Sequence, residues 1–94
     1  MSNFRIEQYY NCCMGRKEPN WSEYSHLVLE GCICEGENIC GGIDRAGAEF
    51  FSVYGRLKNG ASKAITDIIS SVDVAIDVAE KHAERSQLRL DVLC

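Results

Sequence analysis

The stretch that decides the fold is residues 50–85, FFSVYGRLKNGASKAITDIISSVDVAIDVAEKHAER. Apolar and β-branched residues alternate on both sides of Asn59-Gly60, the dipeptide preferred in a two-residue type I′ hairpin turn, where both positions need φ > 0. That turn sets a register in which Lys58 faces Ala61, Arg56 faces Lys63, Tyr54 faces Ile65 and Phe50 faces Ile69. Phe51, Val53, Gly55 and Leu57 then share the opposite face with Ser62, Ala64, Thr66 and Ile68, and this second face is assigned to the core. Gly55, opposite Ala64, leaves a shallow spot that a helix backbone can approach. From Ser70 or Ser71, either able to cap, the period lengthens to that of a helix. Its apolar stripe is Val72, Ala75, Ile76, Ala79 and Ala83, widened by Val74 and Val78. Asp73, Asp77, Glu80 and Glu84 form an acidic opposite face, and Asp73 complements the positive end of the helix dipole. The core expected from these patterns is Phe51, Val53, Leu57, Ile68, Ala75, Ile76 and Ala79.

Outward from this module the signals thin. Phe4 to Tyr10 alternates as a first strand, with Phe4, Ile6 and Gln8 on one side. Residues 14–24 hold the single proline and several turn formers and read as a loop. His26 to Cys34 is a second strand, with Leu27, Leu29 and Ile33 on one face and Val28, Glu30, Cys32 and Cys34 on the other. Glu35 to Gly47 is glycine-rich and reads as irregular, because glycine gives up the most backbone entropy on ordering. LRLDVL at 88–93 alternates as a last strand. The expectation is a single α+β domain spanning 1–94, β-β-β-β-α-β, mainly an antiparallel sheet with one amphipathic helix packed on one face.

Ninety-four residues are enough for one modest core. A net charge of −4 argues against direct binding of nucleic acid through a generally cationic surface. The N-terminal MSNFRIEQYY lacks a secretory pattern and no segment reaches membrane-spanning length, so the expected home is the cytoplasm, away from membranes. Six cysteines there would be reduced thiols.

No cofactor is called for by any motif. Phosphate-loop, nucleophile-elbow, zincin and paired-carboxylate patterns are all missing, and the chain is not expected to be an enzyme. The alternative is a small zinc-binding or thiol-redox protein using Cys12, Cys13, Cys32 and Cys34. Paired Cys-x₂₋₄-Cys knuckles, whose turns aim two thiolates at one point, are missing from this set. Cys32 and Cys34 share a strand face roughly 6.6 Å apart. The outer hairpin face carries Phe50, Tyr54, Ile65 and Ile69 with Arg56 and Lys63 as a cationic rim. Four apolar side chains on a face without a helix predict an interface with a protein partner or a second copy.

The aromatic strand with Val-Tyr-Gly-Arg-Leu, the Asn-Gly turn, the Asp-bearing return strand and the Ala-rich acidic helix resemble a hairpin-helix unit of small orphan proteins of phages and mobile gene cassettes. Some proteins of that kind resemble inhibitors of bacterial defence complexes, including anti-CRISPR proteins. The resemblance covers a little over a third of the chain and implies an inhibitor that binds a macromolecule. It carries no functional residue over.

Overall fold

In the computed structural model, residues 8–94 are described. Five strands and one helix follow in the order β1 (Tyr24–Glu35), β2 (Asn38–Ile43), β3 (Phe50–Leu57), β4 (Ser62–Ile68), α1 (Val72–Ser86) and β5 (Leu90–Val92). The sheet order is β2-β1-β3-β4, and β1 is its central element. β3 pairs with β1 from Tyr24 to Cys32, while β2 and β5 share the other edge, β2 against residues 31–35 and β5 against 27–29. All pairings are antiparallel except β1 with β5. A strand parallel to β1 can be reached from β4 only by crossing over the sheet. α1 makes that crossing and thereby covers one face.

The inner face is built by alternation. Leu29, Phe51, Val53 and Ile68 meet Ala75, Val78 and Ala79 of the helix in one buried cluster. Ser71 caps the helix, its side chain accepting from Val74 N, and Asp73 lies in the first turn. The buried helix positions are Ala75, Val78, Ala79 and His82. This face is turned by roughly 60° from the expected stripe, at 100° per residue. Ile76 is accordingly half-buried rather than central, and Leu57, the last residue of β3, is half-buried as well. The turn comes from His82, a polar residue that reaches the interior because its ring nitrogen finds partners there.

The element string agrees with expectation, but two of its members do not. Of the strand expected over Phe4–Tyr10, Phe4 and Ile6 lie outside the described residues, and residues 8–10 run through turns. The glycine-rich segment read as irregular instead forms β2. Gly36 (φ 63°) opens a two-residue turn between Glu35 and Asn38, the position a type II′ turn reserves for glycine. Further along, Gly41 and Gly42 supply an extra residue between Ile43↔Gly31 and Cys40↔Ile33, with Gly42 at φ 72°. Glycine here makes a bulge possible rather than ending the strand.

The register of the β3–β4 hairpin also differs from expectation. Phe51↔Ile68, Ser52↔Asp67 and Val53↔Thr66 agree with the expected register, but nearer the turn Tyr54 pairs with Ala64, Gly55 with Lys63 and Arg56 with Ser62. Only Gly60 is left-handed (φ 95°); Asn59 is not. Leu57 N donates to Ala61 O at 2.7 Å, so the connection is a three-residue loop, 58–60, and not a two-residue turn. The displaced register is restored by a bulge at Ile65. A second bulge, at Ser25 in β1, turns Tyr24 onto the same inner side as Leu27. A Cβ at Gly55 would overlap the Tyr24 ring and stand 3.0 Å from Ile65 Cδ1. The shallow spot at Gly55 is thus opposite Lys63 and is filled by an aromatic ring, not by a helix backbone.

Candidate interaction surface

The displaced register redistributes the residues expected on the outer face. Ile65 is fully buried and turned inward over Gly55. Lys63 leaves Arg56 for Gly55 and comes close enough to Cys13 to act on its thiol. Phe50 is buried and Tyr54 half-buried, the Tyr54 hydroxyl lying 3.8 Å from Cys32 Sγ. Val28, Cys32 and Ser52 on that face are also buried, so the chain itself covers much of it. Arg56 remains exposed, and Ile69 is 85% exposed at the end of β4. The six residues do not form one surface.

A different surface is assembled by the segment before β1. Residues 9–23 wrap the β4 edge and dock on the second half of α1. Asn11 clasps the main chain of Asp67, its side chain donating to Asp67 O and accepting from Asp67 N, both at 2.8 Å, and Cys12 N donates to Ile65 O at 3.1 Å. Tyr10 stacks on His82 with ring centres 5.1 Å apart, and Tyr9 and Trp21 meet the same imidazole. His82 Nε2 stands 2.9 Å from Tyr9 O and 2.8 Å from Thr66 Oγ1. A carbonyl only accepts, which assigns the imidazole proton to Nε2. Thr66 Oγ1 donates to the same carbonyl. Burial holds this histidine down to about 4, against the help of the Tyr9 carbonyl, and keeps it neutral. Outside the aromatic group, Arg85 grips Glu18 with two bonds, 2.5 and 3.0 Å, and Trp21 Nε1 donates to Glu18 at 2.7 Å. These bonds hold the Glu18 carboxyl down to about 2. His82 is a satisfied core histidine, not a poised base.

Between the wrapped segment and β4 lies an open groove of about 690 Å³. Tyr24 and Ala64 lie along it, Lys17 and Lys63 supply cations, and Met14, 96% exposed, stands beside them. Arg16, Lys17, Arg56, Lys58 and Lys63 make no ion pair among the described residues. Lys81, Arg85 and Arg89 each have a carboxylate partner. These five belong to the hairpin tip and the wrapped segment, whereas Arg45, which also has no ion pair among the described residues, donates to Cys94 O at 3.0 Å; the tip is tied to the wrapped segment by Lys58 N donating to Glu23 O at 3.2 Å. One free carboxylate, Glu23, lines the groove, and others stand apart from it on the exposed helix face at Asp73, Glu80 and Glu84.

The thiols are not brought together. Cys12 and Cys13 lie at the β4 edge, Cys32 is buried on the outer sheet face and Cys34 is exposed toward the end of β1. Among the described residues no three His, Cys, Asp or Glu side chains converge as a metal site. Desolvation and then Asp67 push the Cys12 thiol up to about 12, and desolvation raises Cys13 and Cys32. None of the three is an activated nucleophile.

No protein-family model matches this chain, and no curated protein or solved structure matches it. Among the described residues no helix is long and apolar enough to cross a membrane. Of the expected interaction residues, Lys63 lines the groove and Arg56 lies on the adjoining hairpin. Met14, Lys17, Tyr24 and Ala64 were missed. Arg16-Lys17 within the proline-bearing loop was the available signal, because a basic pair beside turn formers marks an exposed cationic loop.

Proposed function

We propose that this chain is a non-enzymatic interaction module of the cytoplasm that acts by occupying a surface of a macromolecular partner, in the manner of the small inhibitors carried by phages and mobile elements. The observation that carries this reading is charge segregation: in a chain of net charge −4, five cations without an ion pair among the described residues lie on the hairpin tip and the wrapped segment, and two of them, Lys17 and Lys63, line one open groove. A solvated surface has no need to keep like charges together, since clustering them costs Coulomb energy that an anionic partner recovers. The raised Cys12 and Cys13 thiols weigh against these two cysteines as nucleophiles.

The partner is another protein or a second copy of this chain, whose exposed acidic helix face has the complementary sign. Light scattering and affinity capture with the wild type and a Lys17→Glu/Lys63→Glu variant test the reading. Self-association, or a captured partner that rebinds when purified, is expected for the wild type and should be lost in the variant. A wild type that remains monomeric at millimolar concentration and retains no partner would sink the proposal.

A further inference from the structure

Resting on that reading, we infer that the groove takes an extended, acidic peptide segment of the partner, added as a strand to the open edge of β4. Among the described residues β3 is the only strand partner of β4. The bond from Leu57 N to Ala61 O points the main chain of Ala61, and two residues on that of Lys63, toward β3. Main-chain groups alternate along an antiparallel strand, so those of Ser62 and Ala64 face away from the sheet. No described residue bonds to them. The remainder of the same edge is closed by Asn11 at Asp67 and Cys12 at Ile65. The described residues thus cap this edge strand over half its length and leave the other half open beside the groove that Lys63 and Ala64 line. An unpaired edge is a template for a further strand.

The side chains around this opening determine the occupant. Lys17 and Lys63 ask for carboxylates. Of the two acids lining the groove, Glu18 is engaged by Arg85, and Glu23 is uncommitted among the described residues. Met14, exposed and unbranched, offers an adaptable apolar contact for alternate side chains of the incoming strand. A basic or neutral peptide would have the edge bonds without the charge pairing.

The test uses a displayed library of random ten-residue peptides against the full chain, with the enriched sequences synthesised for fluorescence anisotropy and backbone NMR. The expected outcome is enrichment of peptides carrying several Asp or Glu, with amide shifts centred on Ser62 and Ala64. Affinity should fall at least tenfold for Lys17→Glu/Lys63→Glu and for a peptide whose alternate amides are N-methylated. Enrichment of basic sequences, shifts centred elsewhere, indifference to N-methylation, or no enrichment would overturn the inference. If it is overturned while the wild type still self-associates or rebinds a purified partner, only the edge-strand mode fails. If both results are negative, the interaction reading fails with it.

Discussion

The two hairpins of the sheet exchange the roles their sequences suggest. Asn59-Gly60, the strongest turn signal in the chain, closes the looser hairpin through a three-residue loop with only Gly60 left-handed. Gly36-Glu37, inside a segment with no apparent order, closes the tighter one. Turn chemistry states which connections are permitted, and the faces of the strands choose among them. A two-residue turn at Asn59-Gly60 would set Ile65 beside Tyr54 on the outer face and Lys63 opposite Arg56. Moving the register by one residue buries Ile65, worth about 1.5–3 kcal/mol. It also separates two cations whose opposition costs about 0.2–1 kcal/mol. The bulge at Ile65 then returns the far half of the strands to the register that Phe51, Val53 and Ile68 require.

The sharpest way to break this account is at adjacent residues of the β3–β4 hairpin. Ile68 is fully buried and Ile69 is 85% exposed. Ile68→Ala should lower unfolding free energy by about 2–5 kcal/mol, and Ile69→Ala by under about 0.5 kcal/mol, in urea denaturation. Comparable losses at both sites would show the strand to be out of register.

Acid provides a second lever, because His82 fastens the bulged strand through Thr66 and no imidazole fastens β2. The unfolded histidine binds its proton near 6.5 and the folded one only near about 4. Between those values the unfolded state holds more protons, so stability is fully present above the window and falls as pH drops through it. The loss should reach about 2 kcal/mol by pH 5. His82→Gln, which keeps an N–H for the Tyr9 carbonyl and cannot titrate, should be nearly flat between pH 7 and 5. A wild type equally stable at both pH values would exclude a buried neutral imidazole. Glu18 adds to the decline only lower, as pH falls from its unfolded value near 4.5 toward about 2.

Smaller effects test the close approach and the turn. Gly55→Ala forces a methyl group into the Tyr24 ring and should cost about 1–3 kcal/mol. A neutral result would place Tyr24 elsewhere. Gly60→Ala should cost about 1–2 kcal/mol for its left-handed backbone. Asn59→Ala should cost less, losing chiefly the bond its side chain accepts from Ala61 N at 2.9 Å. Equal losses at Asn59 and Gly60 would restore the two-residue turn.

Local signals made part of this fold legible. Strand alternation over His26–Cys34, the Ser71 cap and the acidic helix face are one-dimensional patterns, and they led to the α+β class and to Phe51, Val53, Ile68, Ala75 and Ala79 in the core. β2 was hidden because glycine reads the same whether it ends a strand or bulges one. The groove was less legible still. Its cations come from Lys17 and from Lys63 of β4, far apart in sequence, and a one-residue shift sends Lys63 to the other face of its strand.

By itself, then, the sequence determined which segments could be strand or helix and which side chains each could bury, since these follow from backbone periods of 2 and 3.6. Only the tertiary structure decided the register of the hairpin, the rotation of the helix and the edge left open beside Lys63. Each of these depends on long-range partners: Tyr24 over Gly55, Thr66 and Tyr9 around His82, and Asn11 against Asp67. Their contributions of a few kcal/mol outweigh the preferences of a turn, and they exist only once distant segments meet.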